Sequence, residues 1–387
     1  MINFTFHNPT KIVFGRDTID RAGTETAVFG KRVLLLSGMG SAKRSGVYDR
    51  VLVSLRAAGL DCLEIDGVQP NPLLSKVHHS IDAAKDFRAD VIVAVGGGSV
   101  LDSAKAIAAG AVVEHDVWDF FIRRATVARA LPIVAVLTLA ATGSEMNGGS
   151  VITHDETREK FNMGSPHTYP KVSILDPSVT FSVDAANSAY GAVDAAVHML
   201  EPYFNGANPD APLQDGLVES LLRTIRGVIP TILEKPDDYQ ARAVMMWCAT
   251  YALNGMTSAG MGGAAFPVHM IGHALSALYD TPHAASLAIV LPGWLRVVRD
   301  EKAKKIAQLG RAVFGVTEAD NTAAVDATIT AVVAWLRSIN TPASLAEGGI
   351  PAQDIPRIAA NARRLAALWS MDKYDENYIA RILSQCI

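Results

Sequence analysis

Three of the ten histidines in this 387-residue chain fall within one short stretch, "HMIGHALSALYDTPH" at 269–283. Imidazoles set among Ala, Leu, Ile and Met can serve as metal ligands, or they can be polar residues on one helix face. His269 and His273 stand four apart, the spacing of helix neighbours. A second pair with that spacing, Asp194 and His198, lies in "GAVDAAVHML" among Ala and Val. A carboxylate on an apolar helix face is costly unless it is paired or bound to a cation. Thr281 as a cap with Pro282 in the first turn would open another helix at His283. Asp194, His198, His269 and His283 can therefore converge from three helical segments as one carboxylate and three imidazoles, a set suited to Zn(II) or Fe(II). The alternative is two independent buried polar pairs.

Three glycine-rich turns offer a second chemistry, the binding of phosphate. "AVGGGSVLDSAK" (94–105) places Gly96, Gly97, Gly98 and Ser99 between an apolar run and a helical one. Backbone N–H groups at a helix start, with no Cβ in the way, make an anion site; a plain tight turn is the alternative. The stretch is neither G-x-G-x-x-G nor a P-loop, since no Lys-Ser/Thr follows the glycines. "TLAATGSEMN" (138–147) follows another apolar run and adds the hydroxyls of Thr138, Thr142 and Ser144, or simply a helix cap. Two such turns point to one extended phosphate-bearing ligand, a dinucleotide. The third, "SGMGSAKR" (37–44), holds Gly38, Gly40 and Ser41, with Lys43 and Arg44 just beyond. No carboxylate stands in the turn, where an NAD site keeps an acid for the ribose, so NADP is favoured over NAD, unless the two cations are merely solvated.

These residues require a scaffold, and the chain supplies two grammars. Near-continuous apolar runs, "RVLLLS", "DVIVAVGGGS" and "PIVAVLTLA", alternate with helical stretches as far as "KVSILDPSVT" (171–180), which predicts a parallel sheet covered on both faces. Beyond about Ser182 the pattern is helix after helix. The expectation is an α/β dinucleotide-binding domain, mostly parallel and Rossmann-like, over 1–182, and an all-α metal and substrate domain over 183–387. The first fourteen residues, with "INFTF" and "KIVF", alternate enough to form a strand pair whose edge could join another subunit. Trp118, Phe120 and Phe121 in "VWDFFI" suit either a substrate pocket or the core.

The net charge of −4 and the lack of a basic run exclude a nucleic-acid surface. No stretch is apolar for long enough to span a bilayer, and the N-terminus lacks the pattern of a signal peptide. Three scattered cysteines, Cys62, Cys248 and Cys386, suit a reducing compartment, and the cytoplasm is expected.

The motifs "PNP" (70–72), "GGGSVLDSAK" (96–105), "TLAATGSE" (138–145), "DAAVH" (194–198) and "HMIGHALSALYDTPH" (269–283), in this order, make the chain resemble the iron-dependent (group III) alcohol dehydrogenases. The resemblance covers essentially the whole chain and is greatest to their NADPH-dependent aldehyde reductase and butanol dehydrogenase branch. It implies a dehydroquinate synthase-like architecture with the active site in the cleft between an α/β and a helical domain. It also implies Asp194, His198, His269 and His283 as ligands of Fe(II) or Zn(II), with His273 beside the nicotinamide and substrate. Gly97, Gly98 and Ser99 would take the pyrophosphate, and Thr138, Thr142 and Ser144 the nicotinamide side. Asn71 of "PNP", Asp102 and Lys160 would be further cofactor contacts. Family members that prefer NAD often carry Asp where this chain has Gly38, so NADP(H) is the expected cofactor. The implied reaction is hydride transfer between NADP(H) and a small aliphatic aldehyde or alcohol, in a homodimer. A lyase of the dehydroquinate synthase type or a non-catalytic dinucleotide sensor is the alternative. The first needs several Lys and Arg around 194–198 and 269–283, where the chain is apolar.

Overall fold

The computed structural model describes residues 1–208 and 210–387. It divides into two compact units, one made of His7–Asp184 with Lys235–Asn254, the other of Met1–Phe6, Ala185–Glu234 and Gly255–Ile387. Relative to a single cut at 182/183, the boundary lies at 184/185, and Met1–Phe6 and Lys235–Asn254 change sides.

In the first unit the strands are β1 (Lys11–Phe14), β2 (Arg32–Gly38), β3 (Asp61–Val68), β4 (Val91–Gly96), β5 (Ile133–Leu137), β6 (Gly149–His154), β7 (Glu159–Gly164) and β8 (Val172–Leu175). Six of them form one parallel sheet in the order β1-β8-β5-β4-β2-β3. Val33–Leu36, Val91–Val95 and Ile133–Leu137 are buried residue after residue, because helices cover both faces of the sheet. β2 leads to β3 on one side, whereas its other neighbour is β4, so the direction of winding changes between β2 and β4. In open α/β sheets ligands bind at the carboxyl ends of strands beside such a point. Gly38 closes β2 and Gly96 closes β4 there.

The expected N-terminal strand pair does not form. "KIVF" joins the sheet as β1, in parallel register with β8, while "INFTF" is not a strand and meets the loop at Gly260 through the Ile2 N–H. Alternation alone cannot say which partner a strand finds. A hairpin of β6 and β7, not anticipated in the sequence, follows the 138–147 turn.

The helix Tyr239–Ala252 belongs to the sheet unit. Trp247 packs edge-on against Phe14, Arg16 lies over the Tyr239 ring, and Arg242 donates to the carbonyl of Val183.

The second unit is helical, and the two helices at its centre have no wet face over most of their length. Every residue from Gly191 to Phe204 in Ala185–Asn205 is buried, as is every residue from Ala284 to Leu295 in His283–Val297. A helix apolar on all sides sits inside a core, so a carboxylate on one of them is in dry surroundings. In helix Pro267–Tyr279, a Cβ at Gly272 would lie 2.9 Å from Leu287 and Ser286 side-chain atoms. Its bare backbone lets this helix and 283–297 approach closely. His283 begins its helix, with Pro282 at the capping position and not, as expected, in the first turn.

Candidate metal centre and dinucleotide turns

In the helical unit, Asp194, His198 and Glu201 share one face of the 185–205 helix at positions i, i+4 and i+7. One carboxylate oxygen, Asp194 Oδ1, is 3.3 Å from His198 Nδ1, 4.0 Å from His269 Nε2 and 3.7 Å from His283 Nε2. Ligand atoms of a tetrahedral site with bonds of about 2.0–2.1 Å sit about 3.4 Å apart. The spacing thus fits a divalent cation among these side chains. The ligand atoms of Asp194, His198 and His269 all lie within 4.8 Å of one another. His283 reaches Asp194 but stands outside that tighter set, and its side chain is 24% exposed against 3–7% for the other three. The accessible side of the cluster is therefore the His283 side.

The donor chemistry agrees. Burial, reinforced by neighbouring His269, pushes the His198 imidazole well below its usual range, partly offset by a backbone hydrogen bond at Asp194. A neutral ring has a lone pair to offer a cation. Its Nδ1 makes no hydrogen bond among the described residues.

Glu201 was not anticipated. Helix 267–279 starts with Pro267, which has no N–H, and its own capping residue, Phe266, supplies no side-chain bond. The Glu201 carboxylate fills that role from the neighbouring helix, accepting the N–H of Val268 at 2.5 Å and that of His269 at 3.3 Å. The same carboxylate binds His269 Nδ1, leaving Nε2 on the side of Asp194. Burial raises the Glu201 carboxyl well above its ordinary value, opposed by the two backbone N–H groups. The D-x3-H-x2-E spacing was the available signal. His273 lies one turn beyond His269, its ring centroid 5.4 Å from that of His283 and 6.2 Å from that of Trp369.

In the sheet unit the predicted cofactor residues come together in pairs. A Cβ at Gly98 would fall 2.4 Å from Thr142 Cγ2, and one at Gly97 a tight 3.1 Å from Leu139, so the 96–99 and 138–142 turns touch and Gly98 has no room for a side chain. Thr138 is tied to the first turn through its N–H to the Gly96 carbonyl. Helix Gly98–Gly110 begins at that contact with no side-chain cap, so its first N–H groups, including that of Ser99, have no side-chain acceptor among the described residues. Lys160 of β7 donates to Asn71 at 2.7 Å, both buried, and Asn71 adopts a left-handed conformation (φ 51°).

Asp102 and Ser144 also meet, Ser144 buried and Asp102 half-buried. The Ser144 hydroxyl donates to Asp102 at 2.7 Å and accepts from Lys105 at 2.7 Å. The other Asp102 oxygen accepts the N–H of Val151. Lys105, overlooked in the sequence, is fully buried, and burial pulls its ammonium down to about 8.

At the β2 end, Gly40 (φ 107°) shapes the turn before Ser41. Lys43 is not an isolated cation there, because Asp66 of β3 binds it at 2.5 Å. A carboxylate thus does stand near this turn, brought by the adjacent strand.

Trp118 is stacked between Phe121 and Phe161, and Phe120 and Phe121 are 3% and 0% exposed. Of the two readings of "VWDFFI", the structure gives core packing.

Comparison with known proteins accounts for both units. The pattern of the iron-containing alcohol dehydrogenases matches residues 9–177, and that of the C-terminal part of the Fe-containing alcohol dehydrogenase family matches residues 188–386. A probable NADH-dependent butanol dehydrogenase of Bacillus subtilis is 44% identical over 365 residues, 94% of each chain. The NADPH-dependent aldehyde reductase YqhD of Escherichia coli is 37% identical over 362 residues, 92% of each chain. Among solved structures, an NADH-dependent butanol dehydrogenase A from Thermotoga maritima superposes with a TM-score of 0.96 at 44% identity, covering 100% of this chain and 99% of that one. The chain therefore belongs to the iron-containing alcohol dehydrogenase family, as a metal-dependent enzyme of the alcohol dehydrogenase and aldehyde reductase type.

Proposed function

We propose that this enzyme interconverts small uncharged aliphatic aldehydes and alcohols with NADPH as its preferred cofactor. The observation that carries the reading is the convergence of three imidazoles on Asp194 Oδ1 within a dry helical core. Asp194, His198, His269 and His283 would hold Fe(II) or Zn(II), which supplies Lewis-acid polarisation of the aldehyde oxygen. Glu201 keeps the His269 ring aimed. His273 is the group proposed to pass a proton to the developing alkoxide.

On the sheet unit, the N–H groups of Gly97, Gly98 and Ser99 are the proposed pyrophosphate contacts. Thr138 and Thr142 are assigned to the nicotinamide side, Asn71 and Lys160 to a further contact. Ser144 and Asp102 act by holding the turn. The turn of Gly38, Gly40 and Ser41 carries no acid of its own and has Lys43 beside it, which supports a 2′-phosphate. Asp66 favours a second reading, NADH use, because it partly neutralises Lys43. Relatives named for each cofactor stand on both sides.

A cytoplasmic homodimer is part of the proposal. No helix among the described residues is long and apolar enough to cross a membrane, and all three cysteines are free. Met1, Ile2, Phe4 and Phe6 are exposed apolar side chains suited to a second copy.

The test follows reduced-nicotinamide absorbance with butanal, comparing NADPH and NADH, before and after chelation and with Fe(II) or Zn(II) restored. Metal-restored, NADPH-preferring turnover is expected. His269→Ala should abolish turnover while the protein remains folded. Full activity of a metal-free His269→Ala protein refutes the mechanism.

A further inference from the structure

Glu145, in the 138–147 turn, is 1% exposed and lies within the sheet unit. Three elements surround it. Helix 239–252 presents Thr250, β8 presents Ser173, whose hydroxyl donates to the Glu145 carbonyl, and helix 98–110 presents Lys105, the charged group that faces it.

The hydrogen atoms can be counted. Thr250 Oγ1 is 2.5 Å from Glu145 Oε1 and 3.0 Å from the carbonyl of Met246, one turn back in its own helix. A hydroxyl has one hydrogen. If it serves the Met246 carbonyl, the short contact to Oε1 needs a hydrogen from the carboxyl. Lys105 cannot provide one, because its three N–H groups go to Ser144 at 2.7 Å, Asn147 at 3.1 Å and the Gly149 carbonyl at 2.7 Å. The other oxygen, Oε2, is buried with no hydrogen bond among the described residues. An ionised carboxylate so placed would be a buried charge with one oxygen unsatisfied, which the nearby Lys105 offsets only in part.

The neighbouring acid is also pushed upward by burial but differs in its bonds. Asp102 accepts from Ser144 and from Val151 N–H, and it faces both Lys105 and Lys160. Asp102 shares the charge of Lys105 with Glu145, and no cation hydrogen-bonds the Glu145 carboxyl among the described residues.

We propose that Glu145 is a neutral carboxylic acid in the working enzyme, a positioning residue whose O–H donates to Thr250 and so fastens the Thr142–Ser144 turn to helix 239–252. Burial pushes the Glu145 carboxyl upward, and the Thr250 bond opposes this only in part. The consequence for catalysis rests on reading that turn as a nicotinamide contact; the protonation state does not.

The two parts are tested separately. A group whose folded pKa is raised removes stability as pH climbs from the unfolded value of 4.5 through the folded one. A glutamine amide can donate the same bond and does not titrate. Without nucleotide, Glu145→Gln should melt about 3 °C or more above wild type at about pH 8, the gap closing as the pH falls toward about 4.5. A gap that does not change with pH, or a wild type more stable at pH ~8, overturns the proposal. Should the glutamine variant not fold, the infrared carbonyl band of a protonated carboxyl in wild type at pH ~8, moved by Thr250→Val, is the second measurement; its absence overturns the proposal equally. For the turn, Glu145→Ala should raise the cofactor KM about fivefold with kcat within about twofold. An unchanged KM removes the positioning role and leaves the pH result standing.

Discussion

Glu201 accepts hydrogen bonds from the backbone of helix 267–279 and from the ring of His269 with one carboxylate. The two tasks are coupled, since the group that ends the helix's unmet N–H donors also sets which nitrogen of His269 faces Asp194.

Glu201→Gln should keep the backbone bond but lose the charge behind the imidazole. A loss of about 10–100-fold in metal affinity is expected, read by chelator competition with metal content measured after dialysis. Retention equal to wild type would reduce Glu201 to a helix cap.

Cofactor choice should respond at two positions. Gly38→Asp places a carboxylate at the β2 end, where a Cβ meets the Val68 carbonyl at a tight 3.3 Å. Preference should move from NADPH toward NADH by about tenfold in the ratio of kcat/KM. Asp66→Asn frees Lys43 and should move it the other way. Unchanged ratios in both variants would place the 2′-phosphate elsewhere.

Gly98→Ala drives a methyl to within 2.4 Å of Thr142 Cγ2 and 2.7 Å of its Oγ1. Overpacking of this kind costs about 1–3 kcal/mol. A rise of about tenfold or more in dinucleotide Kd is expected from fluorescence titration, with partial recovery when Thr142→Gly is added. A normal Kd would show that the two turns can separate freely.

Much of this was legible in the chain. The strands at the sheet centre are runs buried on both faces, and such runs announce themselves by hydrophobicity alone. Asp194 with His198 was visible because helix geometry makes residues four apart into neighbours. What escaped depends on partners remote in sequence. Lys43 read as a cation with no acid near its turn because Asp66 lies on the next strand, and helix 239–252 reads as one more helix until Phe14 and Glu145 are seen against it. The β6–β7 hairpin was hidden because its strands lack a continuous apolar run, being interrupted by Gly, Asn and Lys. Glu201 was missed although its spacing is local, since a Glu beside a Pro looks like a helix end and not the cap of another helix.

Acid stability should carry the mark of Asp90. Its side chain binds the Arg32 guanidinium and the N–H groups of Lys31 and Arg32, which hold its carboxyl down at about 2. A lowered acid stabilises above its unfolded value of 3.8, and that support fades as pH falls through about 2. Asp90→Asn should cost on the order of 1 kcal/mol at neutral pH, after allowance for solvent screening, and nothing below about pH 2. Denaturant melts across that range decide it; a deficit that persists in strong acid would point to packing.

The sheet unit is not one continuous piece of chain, because it is completed by 235–254 only after the first long helices of the other unit have been made. A ribosome adding about 5–20 residues per second needs about 4–14 s to pass from residue 184 to residue 254. During that interval the emerging 7–184 segment lacks the helix whose Trp247 meets Phe14 and whose Thr250 meets Glu145. Cutting the gene at the apparent boundary would make that interval permanent, and the shortened product would be prey for chaperones and proteases.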